Sequence, residues 1–197
     1  MGSHHRAATC HGYARPATSR GICRDRALLL VGFSGGFRRS ELVALDVADV
    51  TDTEDGLKIL IRRSKTDQEG EGRTLGIPYG SDPKTCPVRA YRKWIETAGI
   101  TEGPVFRAFR HGAWAADALT DRVIALVVKK AAVRVGIEAA GLAGHSLRAG
   151  HATTASRNGA SEASIMRQTG HRSVQMVRRY IREGSLFHDN AGAKLGL

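Results

Sequence analysis

Two short strand-like runs, close together in the sequence, interrupt a chain otherwise patterned for helices. They limit the folds that this chain can adopt. Residues 57–61 and 74–79 are rich in strand-forming residues, and the polar, glycine-containing sequence SKTDQEGEGR lies between them. Two such runs around a polar turn are typical of a β-hairpin. We therefore predict an α+β fold, mostly α-helical, with one small antiparallel β-sheet of two or three strands; residues 45–50 are the candidate third strand.

Helices are predicted wherever apolar residues recur at helical spacing between start and stop signals. The predicted segments are 23–34, 38–45, 87–98, 119–135, 144–159, 161–169 and 173–181. Tyr91 and Trp94 share one apolar stripe, so we interpret them as core residues and not as residues that stack on nucleic acid. The sequence FRHGAW, residues 109–114, is predicted to lie in a basic loop.

The composition favours one globular domain that meets a polyanion. The 197 residues are 42% hydrophobic, which is enough for a core. Thirty Lys and Arg against nineteen Asp and Glu give a net charge of +11, and a basic domain of this kind most often binds nucleic acid. A solvated basic surface or a ribosome-associated protein is the alternative. No apolar run reaches the ~18 residues of a membrane span, so no membrane partner is predicted.

The cysteines and the first residues of the chain give no indication of a disulfide framework or a metal site. Three cysteines without a C-x-x-C pair are typical of a reduced, intracellular protein with free thiols. Cys10 and His11 lack further ligands at suitable spacing for zinc. The opening MGSHH resembles a purification-tag remnant, and residues 1–20 are predicted to be an arm, linker or tag remnant.

The stretch from His145 to Tyr180 holds the residues suited to phosphate chemistry. It contains His145, Arg148 three residues later, His171 after Thr-Gly, and Tyr180 nine residues beyond. An arginine fork binds two phosphate oxygens and keeps its charge, and a tyrosine offers a nucleophilic oxygen. Each residue alone is more typical of a surface pair, a helix start or a core position, so the interpretation depends on further motifs.

Four motifs in order resemble the tyrosine recombinase, or phage integrase, family, which includes Cre and the Xer proteins. TGHRSVQMVRRYI resembles its C-terminal motif and HSLRAGHATTA its His-x-x-Arg box. GGFRRSELVAL resembles the box of its first arginine, which places Arg38 in that role, and SKTD resembles the box of its hairpin lysine, Lys65. The resemblance runs from Asp25 to Glu183 and implies the catalytic-domain fold of this family.

The resemblance implies a site-specific DNA recombinase that cleaves and rejoins strands through a 3′-phosphotyrosyl intermediate. Tyr180 would attack the scissile phosphate and leave a free 5′-hydroxyl. Arg38, Arg148 and His171 would hold the non-bridging oxygens of the transition state.

Three further residues complete the implied site. Lys65, on the hairpin, would protonate the leaving 5′-oxygen, and His145 would donate a hydrogen bond or carry a proton near the tyrosine. Glu41 would support the site from behind. No metal, nucleotide or other cofactor is implied, because the phosphotyrosine conserves the bond energy.

The resemblance also implies an organisation and partners. We expect a catalytic domain at 21–183, followed by a tail at 184–197 that docks on a neighbouring protomer. The expected partner is double-stranded DNA, with a homo-tetramer on DNA and a monomer when free, in the cytoplasm at the nucleoid. Residues 1–20 stand where the family usually has a helical core-binding domain, which predicts an excised catalytic domain or a minimal relative.

The sequence departs from the family pattern at two places. Gly35 stands where the first arginine box usually has Thr. Ala149, Gly150 and His151 stand where many members have His-Thr-Phe, so His151 is interpreted as a packing residue and not as an extra catalyst. Two other functions fit the same motifs. One is a type IB topoisomerase-like enzyme that relaxes DNA, and the other is a fragment that binds DNA without chemistry.

Overall fold

The computed structural model describes residues 19–62, 72–142 and 145–184, together with the isolated positions 192 and 195. The helices in this part of the chain are α1 (Ser19–Ser34), α2 (Arg39–Val43), α3 (Pro87–Ala98), α4 (Asp121–Arg134), α5 (Ser146–Arg157), α6 (Glu162–Thr169) and α7 (Val174–Gly184). The strands are β1 (Val50–Asp52), β2 (Gly56–Ile61), β3 (Arg73–Pro78), β4 (Arg107–Arg110) and β5 (Ala113–Ala118). None of the helices described is long and apolar enough to cross a membrane.

The predicted hairpin forms two strands, β2 and β3, of a three-stranded antiparallel sheet with the order β1-β2-β3. Its register pairs Leu57 with Ile77 and Ile59 with Leu75. These four side chains are buried on one face, as strand alternation requires. The prediction of these two strands is confirmed, while the turn between them, residues 63–71, lies outside the described residues.

The third strand differs from the prediction. Residues 47–49 form a short 3₁₀ helix, and the strand begins only at Val50. Asp46 explains the shift, because its side chain accepts a hydrogen bond from the backbone N–H of Ala48, 3.0 Å away, and caps this turn. A capping aspartate favours a turn over an extended strand.

The main core lies between α1, α3 and the face of the sheet. Trp94 is fully buried there, and its indole Nε1 donates a hydrogen bond to the Val105 carbonyl over 2.9 Å. Tyr91 is buried on the same helix face. The interpretation of both aromatic residues as core residues is confirmed.

The predicted basic loop at 109–114 is wrong, because these residues belong to a hairpin. Strands β4 and β5 pair antiparallel and form a second, two-stranded sheet. The ring of Trp114 packs edge-on against Trp94, 4.6 Å between centroids, and anchors the hairpin to the core. The alanine-rich sequence has weak strand propensity, so this tertiary contact, which a local pattern does not reveal, favours the strands.

The C-terminal helices form a separate small unit. Helices α5, α6 and α7 pack around the buried side chains of Ala152, Ile165 and Val177, with Tyr180 and Ile181 partly buried against them. The predicted helices 144–159, 161–169 and 173–181 are confirmed within two residues at most ends. His145 was predicted to lie inside the helix 144–159, but it precedes α5 as its N-cap residue.

Replacing Trp94 with alanine should lower the free energy of unfolding by about 3–5 kcal/mol, because it empties a fully buried aromatic site. Urea unfolding followed by circular dichroism measures this change. Val133→Ala, at a side chain on the exposed face of α4, is the control and should stay within about 0.5 kcal/mol of wild type. A Trp94→Ala change as small as the control would contradict the core assignment.

Candidate active site

The N-terminus of α2 holds the first predicted arginine beside a buried carboxylate. Arg38 is the N-cap residue of α2, and Glu41 follows in its first turn. The Glu41 carboxylate accepts the backbone N–H of Arg38 at 2.9 Å through Oε2 and Arg38 Nη1 at 2.6 Å through Oε1. The Glu41 side chain has no solvent exposure, so it orients Arg38 from behind, as expected.

A third residue, Arg73, shares the same carboxylate. Arg73 begins β3, and its Nη2 lies 3.3 Å from Glu41 Oε2. Burial alone would raise the pKa of Glu41. The hydrogen bond from the Arg38 backbone and the charges of Arg73 and Arg38 outweigh burial and hold this pKa below its ordinary value. Glu41 is therefore an anion at neutral pH.

Arg148 is the most deeply placed cation of the site. It lies one turn into α5 and is 4% exposed. Its Nη1 donates to the Gly36 carbonyl at 2.9 Å and to the Thr169 carbonyl. Burial, followed by the charge of Arg38, lowers its pKa to about 10, so the group remains protonated at neutral pH.

One donor of Arg148 has no acceptor. Its Nη2 is buried and has no hydrogen-bond partner within the part of the chain that the structure describes. A buried N–H without a partner is costly. An oxyanion is the acceptor that suits a guanidinium best, since charge-assisted pairs of this kind are the strongest.

His171 is held in one tautomer by a chain of hydrogen bonds. The Thr169 hydroxyl donates to the Ile165 carbonyl at 2.7 Å, so its oxygen accepts from His171 Nδ1, also at 2.7 Å. His171 Nε2 is then left as the acceptor for Arg148 Nε at 3.3 Å. Burial and the charges of Arg148 and Arg38 lower the pKa of His171 to about 4. The imidazole is neutral at physiological pH.

Two glycines allow the helix ends to approach these side chains. Gly36 has φ +59°, and a Cβ there would lie 2.9 Å from Thr169 Cγ2. Gly170 has φ +65°, and a Cβ there would lie 2.7 Å from Arg73 Nε, while its carbonyl accepts Arg38 Nη2 at 3.3 Å. Both positions therefore need glycine for conformation and for space.

Tyr180 reaches the same surface from α7. Its ring centroid lies 6.2 Å from that of His171, and the side chain is half-buried against the small C-terminal unit. The hydrogen bond of Arg178 to Glu162, 3.0 Å, joins α7 to the start of α6 on the exposed side. The tyrosine ring is thus held next to the imidazole of His171.

The structure brings most predicted site residues together. Arg38, Glu41, Arg148, His171 and Tyr180 converge, whereas Lys65 lies outside the described residues. His145 is exposed at the N-cap of α5, one helical turn before Arg148. Among the described residues, no hydrogen bond links it to the other site residues.

His151 lies behind the site and packs against α1. Its Nδ1 is 2.9 Å from the Phe33 carbonyl, and its ring meets the Phe33 ring edge-on. This placement agrees with a packing role.

Sequence reasoning missed Arg73 as a member of the site. The pattern assigned Arg73 to the polar turn, where a lone arginine carries no signal. Only the folded structure shows that Arg73 lies beside Glu41 of α2. Within the described ranges, no group of three or more His, Cys, Asp or Glu residues could hold a metal ion.

Three arginines, one histidine and one tyrosine thus meet on one surface of this fold. The sequence profile described as the phage integrase family matches residues 13–185. The chain belongs to the phage integrase family.

One relative is clearly similar in sequence. An integrase/recombinase described as a xerD homolog, from Selenomonas ruminantium, is 46% identical over 169 residues. The alignment covers 85% of this chain and 50% of the relative. The chain thus spans about half the length of the curated relative that it matches.

Solved structures share the fold at low sequence identity. The XerH site-specific recombinase bound to palindromic difH substrate has a TM-score of 0.70 at 18% identity, covering 91% of this chain and 48% of that one. XerA recombinase has a TM-score of 0.62 at 19% identity, covering 93% and 68%. A lambda integrase dimer bound to a COC′ core site has 0.57 at 19%, covering 82% and 53%. The predicted tyrosine recombinase catalytic-domain fold is confirmed.

The His171 imidazole should titrate well below its ordinary pKa of 6.5, near 4, because burial and three arginines oppose its protonation. An NMR titration of its ring signals, assigned with His171→Gln, measures this. Since the unfolded chain then binds the proton more tightly, the stability that this group contributes is present above pH 6.5 and is lost as the pH falls towards 4. A pKa at or above 6.5 would contradict the buried position of the imidazole among the arginines.

Proposed function

We propose that this chain is the catalytic domain, residues 21–183, of a site-specific DNA recombinase that cleaves and rejoins strands through Tyr180. The observation that carries the proposal is the buried Nη2 of Arg148, which has no hydrogen-bond partner among the described residues. Arg148 also contacts His171, and the Tyr180 ring lies 6.2 Å from that imidazole. A donor that needs an oxyanion next to a nucleophilic hydroxyl suits attack on a phosphodiester.

The charge balance of the site supports a phosphate ligand. Three guanidinium groups, those of Arg38, Arg73 and Arg148, surround the single carboxylate of Glu41. Burial first, and then the excess positive charge, lower the pKa values of Arg148 and His171. An anionic phosphate would relieve this repulsion, and the net charge of +11 would attract the rest of the DNA backbone.

In the proposed reaction the Tyr180 oxygen attacks phosphorus while the bond from phosphorus to the 5′-oxygen breaks. The proton of the tyrosine passes towards His145, and Lys65 gives a proton to the leaving 5′-oxygen. Arg38 and Arg148 hold the non-bridging oxygens. The reverse attack by a 5′-hydroxyl rejoins a strand and frees the tyrosine, so atoms and charge balance without a nucleotide.

His171 joins this donor set through a change in protonation. Its Nε2 accepts from Arg148, and a second proton on the ring would turn this nitrogen into a donor to a phosphate oxygen. The negative charge of the phosphate offsets the arginine charges and favours that proton. His171 then becomes a cationic donor only when the scissile phosphate is bound.

The proposed partners are double-stranded DNA and further copies of this chain. XerH is described as bound to difH substrate and lambda integrase as a dimer bound to a core site, which supports assembly on DNA. A tetramer on DNA, docking by residues 184–197, and a cytoplasmic location at the nucleoid belong to the same proposal. So does independence of metal ions, which adduct formation in excess EDTA would test.

Tyr180→Phe should abolish formation of a covalent protein–DNA adduct, because it removes the attacking oxygen. The substrate is a pool of duplexes randomised around a nick, since a short strand released beside the nick traps the adduct. Denaturing gels measure the adduct, and sequencing of the trapped DNA supplies a defined substrate. Tyr79→Phe, at a tyrosine that faces Arg92 away from the site, is the control and should form the adduct.

The outcomes separate the candidate functions. Binding of the pool without an adduct in wild type would favour a fragment that binds DNA without chemistry. Relaxation of supercoiled plasmid without sequence preference would favour a topoisomerase-like enzyme.

Arg148→Ala should reduce the single-turnover cleavage rate about 10²–10³-fold, because it removes a donor to the transition-state oxygens. Arg38→Ala should act in the same direction. The rate is measured at saturating DNA on the substrate selected from the pool. Wild-type rates in either variant would remove that arginine from the proposed site.

A further inference from the structure

Arg73 ties three parts of the active site together. Its Nη2 lies 3.3 Å from Glu41 Oε2 in α2, and its Nη1 donates to the Gln168 carbonyl at the end of α6 over 2.7 Å. Arg73 itself begins β3, which follows directly the hairpin segment 63–71 that contains Lys65. One guanidinium thus joins the hairpin strand, the helix of Arg38 and the corner that precedes His171.

The guanidinium of Arg73 is turned into the protein. Its side chain is 19% exposed, and its Nε is buried without a hydrogen-bond partner among the described residues. The Nε faces Gly170, since a Cβ on that glycine would lie 2.7 Å away. Gln168 reinforces the same junction, because its Nε2 donates to the Gly76 carbonyl of β3 at 3.0 Å.

The charge of Arg73 changes what Arg38 can offer to a phosphate. With one carboxylate between two arginines, the charge of Glu41 is balanced once and one positive charge remains. Without Arg73, Arg38 and Glu41 would form a neutral pair. Arg73 therefore leaves the charge of Arg38 available to an anion, in addition to fixing the position of Glu41.

From these contacts we propose that Arg73 is a positioning residue, which acts through Glu41 on Arg38 and does not itself touch the phosphate. This inference rests on the proposed cleavage function. It gives a role to Arg73, a residue to which the sequence motifs give none.

The test compares Arg73→Gln and Arg73→Lys with wild type in single-turnover cleavage of the selected substrate. Arg73→Gln should slow cleavage at saturating DNA by about 10–100-fold, by analogy with the loss of a residue that orients a metal ligand. Arg73→Lys keeps the charge but cannot span both acceptors, so it should recover part of the rate. DNA affinity should change by less than about threefold in both, because only one charge of many is altered.

Arg92→Lys is the matched control. Arg92 makes the same kind of two-point contact, with Asp52 at 2.7 and 2.6 Å, on the exposed face of α3. The control should cleave at the wild-type rate. All variants are compared by circular dichroism at the assay temperature, and Arg73→Lys carries the test if Arg73→Gln is not folded.

A double-mutant cycle with Glu41→Gln shows whether Arg73 acts through that carboxylate. Removing both groups removes one positive and one negative charge together. The double variant should therefore be less impaired than the product of the two single effects, a coupling typical of residues in one network. Effects that multiply independently would show that Arg73 does not act through Glu41.

The remaining outcomes separate a failure of the proposed function from a failure of the inference about Arg73. If wild type forms no adduct, the cleavage proposal fails. If wild type cleaves and both Arg73 variants match its rate, the inference alone fails. Loss of DNA affinity with an unchanged cleavage rate at saturation would also overturn it, because Arg73 would then bind DNA.

Discussion

The buried carboxylate of Glu41 is the interaction on which the rest of the site depends. It has no contact with solvent and is shared between Arg38 and Arg73. A buried charge is tolerated only when it is paired and hydrogen-bonded, and here the pairing also fixes the two arginines. The carboxylate thereby keeps the guanidinium groups of Arg38 and Arg73 close together, although their positive charges repel each other.

Backbone carbonyls, in addition to the Glu41 carboxylate, fix the positions of the arginines. Arg148 is anchored by the carbonyls of Gly36 and Thr169, and Arg38 by that of Gly170. These carbonyls lie at the ends of helices, where acceptors are left over. The donors are thus placed by the fold itself, and His171 is placed by Thr169 in the same way. Such preorganisation is what transition-state stabilisation requires.

The sequence predicted elements well where local pattern decides, and failed where distant contacts decide. The hairpin of β2 and β3 and the helices around Trp94 follow from alternation and helical spacing. The β4–β5 hairpin does not, since Trp114 stabilises it by packing on Trp94 from a remote segment.

The candidate site shows the same division. Arg38, Glu41, Arg148, His171 and Tyr180 were predicted from motif order and do converge in the structure. Arg73 was missed, because its role arises from a contact with Glu41 across the fold.

The long sequence separations within the site have a consequence for folding. The bond from Arg38 to Gly170 spans 132 residues, and that from Arg148 to Gly36 spans 112. Contacts of such high order form late, because they must first overcome the entropy of closing a long loop. A chain still emerging from the ribosome can therefore pair Arg38 with Glu41, but it lacks the bond to Gly170 until the residues of α6 have been made. The arrangement of Arg38 and Arg148 described above is therefore completed only after α6 has formed, because both arginines bond to carbonyls at its C-terminal end.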